Sequence, residues 1–155
     1  MPSGPAADAA MSAAYEAMRS SPEESTHLTV EARQLVAKRR AGSLVWFDFR
    51  TLCDAPRSQR DYLELARRFS VMFLSNVPQM GPDAADQARR FTWLVDILYD
   101  HRVKLVASAA VPAEALYVTG RNAGEFARTV SRLAEMRTRD YMALPHVTTD
   151  AAEVT

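Results

Sequence analysis

At 155 residues the chain is long enough for one domain with its own hydrophobic core. Nineteen basic and nineteen acidic residues give a formal net charge of zero, which argues against whole-molecule attraction to nucleic acid or to an anionic membrane. The single cysteine, Cys53, excludes an intramolecular disulfide and is typical of a reducing compartment, so we expect a cytoplasmic protein. No apolar run is long enough to predict a transmembrane segment.

The N-terminal part of the sequence predicts a helix followed by short strands. Residues 1–26 are expected to form an Ala-rich helix, from about Ala7 to Arg19, and a linker. Next, "HLTVEARQLVAKRRAGSLVWFDF" predicts a small antiparallel unit in which "SLVWFDF" is the third strand, with turns at "EARQ" and at Ala41-Gly42. Residues 27–144 together are expected to form an α/β unit, and residues 145–155 a flexible tail.

The middle of the chain predicts helices alternating with buried strands. Ser58 and Asp61 form a capping box that opens a helix with Leu63, Ala66 and Phe69 inward. The apolar runs "SVMFLSNVP" and "VKLVASAAVP" predict strands covered on both faces. Between them a long helix has one apolar face, formed by Ala84, Ala88, Phe91, Leu94, Val95, Leu98 and Tyr99. A last helix is expected over "GEFARTVSRLAEMRTRDYMAL", with Phe126, Val130 and Leu133 inward.

The two buried strands end in the same way, and their ends predict a ligand-binding edge. Each passes through small polar residues into Val-Pro, and Pro78 and Pro112 lie 34 residues apart, the size of one strand–helix–strand crossover. Such a crossover is parallel, so both turns are expected at one edge of the sheet, where open parallel sheets bind ligands. Asn76 and Ser108 are therefore candidates for sensing a nucleotide phosphate. The alternative is that they satisfy backbone groups at the start of each turn.

Four arginines on the predicted helices are further candidates. Arg128 and Arg132 share one helix face and could converge on an anion, or could form a solvated pair with Glu125 and Glu135. Arg89 and Arg90 could reach a neighbouring subunit as an arginine finger, or could belong to a solvated polar face.

Other chemistry finds little support in the sequence. Neither a glycine-rich phosphate loop nor a G-x-S-x-G elbow occurs. The three histidines show no metal-ligand spacing, so we expect no metal site. Asp96 and Asp100 share a helix face without a partner for acid–base work, and Cys53 is expected to be a buried structural thiol.

Three blocks of the sequence nevertheless resemble one family in order and spacing. They are "LVWFDFRTLCDAPRSQRDYLELARRFSVMFLSNVPQM", "ARRFTWLVDILYDHRVKLVASAAVPAEALY" and "EFARTVSRLAEMRTRDYM". They resemble the C-terminal part of the ZapE-type cell-division ATPases, bacterial relatives of the mitochondrial AFG-type AAA+ proteins. The resemblance covers roughly Gly4 to Leu144.

This resemblance implies a fragment of a longer enzyme. In that family the Walker A and Walker B elements lie upstream, so the chain is expected to lack ATP hydrolysis alone, and its fold to be a partial P-loop NTPase-like parallel sheet. The parent would use ATP and Mg, form a homo-oligomer, and act on a protein partner such as FtsZ at the division ring, or in mitochondrial protein quality control. By motif, Arg132, with Arg128 as second choice, resembles a sensor-type arginine.

Two positions depart from the family pattern. Members often carry an acidic residue where Ala110 stands, and Asp or Gly where Asn76 stands. The rival hypothesis is a self-standing, non-enzymatic α/β domain that binds other proteins.

Overall fold

The computed structural model of the protein describes residues 2–148, which form six strands and six α-helices. The strands are β1 His27–Val30, β2 Arg33–Val36, β3 Arg39–Ala41, β4 Leu44–Asp48, β5 Val71–Val77 and β6 Lys104–Ala109. The helices are α1 Pro5–Met18, α2 Phe49–Cys53, α3 Gln59–Arg68, α4 Ala85–Asp100, α5 Phe126–Glu135 and α6 Arg139–Met142. Within the described residues, every helix is too short or too polar to cross a membrane.

The main sheet has the strand order β3-β4-β5-β6, and β1 and β2 form a separate hairpin. β4 pairs parallel with β5, and β5 pairs parallel with β6. The predicted α/β class, with parallel strands and a small antiparallel unit, is therefore confirmed. The assignment of "SLVWFDF" to the antiparallel unit is wrong in part, because β4 pairs antiparallel with β3 on one side but belongs to the parallel sheet on the other. Its continuous apolar pattern, buried from Leu44 to Phe47, already fits such a central strand.

The hairpin is fixed by its turn and by one ion pair. Glu31 and Ala32 both have positive φ, 49° and 64°, as a two-residue hairpin turn of the I′ type requires. From β2, Arg33 donates to the carboxylate of Asp61 at 3.0 Å. The same Asp61 accepts a bond from the backbone N–H of Ser58 at 2.8 Å, so the predicted capping box of α3 is confirmed.

One face of the sheet carries the larger core, under α2, α3, α4 and α5. The predicted apolar face of α4 is confirmed for Ala88, Phe91, Leu94, Val95 and Leu98, which are all buried. Ala84 precedes the helix in a 3₁₀ turn, and both Ala84 and Tyr99 are only partly buried. The prediction for α3 is wrong in one position. Tyr62 and Leu65 are fully buried beside Ala66, whereas Leu63 is only partly buried.

The opposite face of the sheet is covered by α1. Met11 and Tyr15 are fully buried there against Trp46 and Phe73. The Tyr15 ring meets the Phe73 ring edge-on at a centroid distance of 5.7 Å. β5 thus has cover on both faces, as its lack of alternation predicts, whereas β6, for which the same cover is predicted, is an edge strand whose residues 104–107 are only partly buried.

The C-terminal helix is interrupted, contrary to the prediction of one helix. α5 ends at Glu135, and Thr138 caps α6 by accepting a bond from the backbone N–H of Tyr141 at 3.2 Å. In α5, Phe126 and Thr129 are buried and Val130 and Leu133 are partly buried. The break lets Tyr141 turn inward, where its hydroxyl donates to the carbonyl of Val103 at 2.8 Å.

The predicted tail lies partly against the body of the molecule. The backbone N–H of Val147 donates to the carbonyl of His101 at 2.9 Å. The remainder of the predicted tail, residues 149–155, lies outside the described residues.

Candidate functional site

The candidate site lies where the parallel strands end. β5 and β6 place both Val-Pro turns at the same edge of the sheet, and the N–H of Ala110 donates to the carbonyl of Val77 at 2.9 Å. The register of this pairing shifts between Leu74 and Val77. Ser75 and Asn76 therefore form a bulge at the end of β5, a feature that re-aims side chains near a site.

Asn76 and Ser108 are brought together at this bulge. The buried hydroxyl of Ser108 accepts a bond from the backbone N–H of Asn76 at 2.9 Å. The side-chain amide of Asn76 donates to the carboxylate of Asp48 at 2.8 Å. Asn76 has a φ of 66°, a left-handed conformation that Asn, Asp and Gly tolerate best. The predicted backbone role is thus present for Ser108, whose hydroxyl satisfies the N–H of Asn76, whereas the side chain of Asn76 bonds to the side chain of Asp48.

An open cleft of about 750 Å³ lies in front of these residues. It is lined by residues of β4, α2, the turn after β5 and the start of α4, namely Asp48, Phe49, Arg50, Thr51, Asp54, Asn76, Pro78, Gln79, Met80, Ala84 and Gln87. We call it the strand-end cleft. Asp48 caps α2 by accepting a bond from the backbone N–H of Arg50 at 3.0 Å, and Gln87 donates to Asp54 at 2.8 Å.

The charges of the strand-end cleft do not suit a polyphosphate. Its lining carries the two carboxylates of Asp48 and Asp54 and one guanidinium, that of Arg50. Phosphate sites are normally built from backbone N–H groups and cations. Each oxygen of Asp48 accepts one hydrogen bond, from the backbone N–H of Arg50 and from the amide of Asn76. The charge of this lining therefore disfavours a triphosphate at this edge.

The arginine pair of α5 lies elsewhere. Arg132 and Arg128 both contact the carboxylate of Asp96, at 3.4 Å for Arg128. The partner is thus Asp96 on α4, and not Glu125 or Glu135 as one alternative expected. α4 begins beside the strand-end cleft, and Asp96 follows eleven residues later, about 16 Å along the axis. The structure does not bring these arginines together with Asn76 and Ser108.

The two arginines of α4 differ in their surroundings. Arg90 donates to the carbonyl of Cys53 at 3.1 Å and so holds the end of α2 against α4. The side chain of Arg89 is 55% exposed, pairs with Asp86 at 3.4 Å and stacks over the Trp93 ring at 5.2 Å. Arg89 is therefore the arginine of this pair that presents its charge outward, on a shallow groove between α4 and α5.

Nucleophilic and metal chemistry find no support in the described part of the chain. Burial raises the pKa of Cys53 to about 12, so its thiol is protonated at neutral pH, as the sequence expectation of a structural thiol requires. Residues 2–148 contain no group of three or more His, Cys, Asp or Glu side chains placed to hold a metal ion.

Sequence reasoning missed the contribution of β4 to the site. Because "SLVWFDF" is predicted to belong to the antiparallel unit, Asp48 is not among the predicted strand-end residues. In the parallel sheet Asp48 is the counterpart of Asn76 and Ser108, a polar residue at a strand end. The signal was present in the sequence, since a buried apolar run followed by Asp is the same pattern as in the other two strands.

Comparison with known proteins gives a consistent family relationship. The chain matches the model of the AFG1-like ATPase family over residues 1–145. It is 39% identical to the cell division protein ZapE of Escherichia coli K12 over 125 residues, which cover 81% of this chain and 33% of ZapE. It is 33% identical to lactation elevated protein 1 homolog B of Danio rerio over 174 aligned positions, which cover 90% of this chain and 35% of that protein. The chain spans about a third of the length of these relatives, and no solved structure matches it.

Proposed function

Because the chain belongs to the AFG1-like ATPase family, we propose that it is the C-terminal portion of such an ATPase, which shapes the nucleotide pocket and the subunit contacts but does not itself hold the phosphates. The phosphate-binding elements would lie in another part of the protein. Relatives about three times as long as the matched segment leave ample room for them.

The observation that carries this proposal is how the polar side chains at the strand ends are bonded. The polar residues of this edge bond to one another, Asn76 to Asp48 and to Ser108, and carboxylates line the strand-end cleft. The sequence contains no glycine-rich loop that could cradle a phosphate. Such an edge suits contacts with protein better than contacts with a triphosphate.

The arginines are the residues through which this portion would act on nucleotide. We retain Arg132, with Arg128 second, as sensor-type candidates, and both pair with Asp96 on α4. Among the finger candidates Arg89 is favoured over Arg90, because Arg90 is already bound to the carbonyl of Cys53. The physiological partner belongs to the same proposal: a division-ring protein such as FtsZ in bacteria, or client proteins in quality control.

A comparison of variants in a longer protein that carries this segment tests the sensor role. Arg132→Ala should lower ATP turnover by about a thousandfold, the scale on which a charge-stabilising arginine acts. Asp96→Asn is the matched control, because it breaks the same ion pair but keeps the arginine. If both variants lower turnover equally, or neither does, Arg132 is a structural partner of Asp96 and the sensor role is refuted.

One observation favours the second candidate, a self-standing domain that binds other proteins. α1 covers the second face of the sheet, so that face is buried by the chain itself. Sedimentation over a concentration series, with an apolar dye, distinguishes the two. A clean monomer that binds no dye favours the self-standing domain, whereas self-association with dye binding favours a portion that expects neighbours.

A further inference from the structure

The strand β6 forms an edge of the main sheet, with β5 as its neighbour on one side. Its residues 104–107 are only half-buried, whereas Met72 to Ser75 of β5 are fully buried. Leu105 and Val106 are apolar, and the charged residue of this strand, Lys104, stands at its start, where its amine donates to the carbonyls of Tyr141 and Leu144. Natural proteins usually protect an edge strand with prolines or charges or cover it with another segment.

The opposite edge of the same sheet shows that protection. β3 is three residues long and carries Arg39 and Arg40. The backbone N–H of Glu24 donates to the carbonyl of Arg40 at 2.8 Å, so a neighbouring segment covers this edge. β3 is thus a short and charged edge, whereas β6 from Leu105 to Ala109 is a longer and uncharged one.

The first described residues already occupy the place of that neighbour. Pro2 forms a parallel bridge with Ala109, and the N–H of Ser3 donates to the carbonyl of Ala109 at 2.9 Å. Because the bridge is parallel, chain that leads into Pro2 would run beside the earlier residues of β6. In this register the residue four positions before Pro2 lies opposite Leu105.

The hydrogen-bonding direction of β6 agrees with this geometry. The N–H of Lys104 donates to the carbonyl of Ser70, on the β5 side, and the carbonyl of Ala109 accepts from Ser3 on the other side. Backbone groups of successive strand residues point to opposite sides, so those of Leu105 point outward with those of Ala109. An incoming strand would find an N–H and a carbonyl at Leu105 in the correct direction.

We propose that the outer edge of β6 receives, in parallel orientation, the segment of polypeptide that leads into Pro2, as a fifth strand of the main sheet. Its outward backbone groups supply the hydrogen bonds, and the half-buried Leu105 and Val106 supply apolar contact. This fifth strand would connect directly into α1, which covers one face of the same sheet. The proposal rests on the proposed function in one respect, because it needs polypeptide ahead of Met1, but it does not depend on any role in ATP hydrolysis.

The test adds sequence ahead of Met1. One protein carries Thr-Val-Thr-Val-Thr, and its matched control carries Gly-Ser-Gly-Ser-Gly, which has the same length but low strand propensity. We expect hydrogen exchange at the Leu105 amide to slow at least about tenfold in the first protein relative to the control. Cross-strand nuclear Overhauser contacts should show parallel pairing.

A second pair of variants tests the register. Ser3→Pro removes the N–H that bonds to Ala109, whereas Ser3→Ala keeps it, and Ser3 is exposed, so neither change disturbs the core. In the Thr-Val protein, Ser3→Pro should abolish the added protection and Ser3→Ala should retain it. The proposal would be overturned by equal exchange at Leu105 in both extended proteins, or by antiparallel contacts. It would also be overturned if protection of Leu105 in the unextended chain depended on protein concentration, because the edge would then bind a second copy.

Discussion

Replacement of Tyr15 by Ala should cost about 3–5 kcal/mol of the free energy of unfolding, the usual range for deleting a large buried aromatic side chain. Tyr15 is fully buried, and its ring contacts the rings of Phe73 and Trp46 at centroid distances of 5.7 and 5.9 Å. Arg39 lies over the same ring at 4.2 Å. Deleting the ring therefore opens the contact between α1 and the sheet.

Two control variants separate this packing from other effects. Tyr15→Phe removes only the hydroxyl, whose bond to Glu23 is long at 3.3 Å, and should cost about 1 kcal/mol or less. Met18→Ala changes an exposed residue of the same helix and should stay within about 0.5 kcal/mol. Urea denaturation followed by circular dichroism measures all three, with the slope as a check on two-state behaviour. A loss below about 1 kcal/mol for Tyr15→Ala would show that α1 is not part of the folded core.

Three further results are expected. Asp96→Asn should lower stability by about 1 kcal/mol in urea denaturation, because it removes the shared partner of Arg128 and Arg132 at a partly exposed site. Lys104→Met should speed amide exchange over residues 139–148 and lower the free energy of unfolding by about 1–2 kcal/mol. The reason is that the Lys104 amine donates to the carbonyls of Tyr141 and Leu144 at 3.1 and 2.8 Å. Unchanged exchange would contradict this role. Stability should fall as the pH rises from about 9 to about 12. The unfolded chain releases the protons of Cys53 and Tyr15 near pH 9.0 and 10.0, whereas burial raises both pKa values to about 12 in the folded protein. Urea midpoints measured over this pH range would show the fall, and a flat profile would contradict it.

The sequence predicts much of the fold because its periodic signals are local. The apolar face of α4, the capping box at Ser58 and the two strands ending in Val-Pro depend on residues close together in the chain, and each is confirmed. The break between α5 and α6 was missed, although Thr138 is a good cap. The deciding contact is distant: the Tyr141 hydroxyl bonds to the carbonyl of Val103.

The candidate site is less predictable because the residues that meet there come from segments far apart in the sequence. The bond between Asn76 and Asp48 depends on pairing β4 with β5, which no local pattern fixes. The left-handed conformation of Asn76 arises at a bulge that no sequence pattern predicts. Likewise, Arg132 could be placed on a helix face, but its choice of Asp96 depends on how α5 packs against α4.

The central claim is that this chain belongs to an ATPase family but does not hold the phosphates itself. Calorimetric titration of the chain with Mg-ATP tests it most directly. We expect no binding tighter than about millimolar, equivalent to roughly 4 kcal/mol, because carboxylates line the strand-end cleft and the sequence lacks a phosphate loop. Micromolar binding of Mg-ATP by the chain alone would contradict the account.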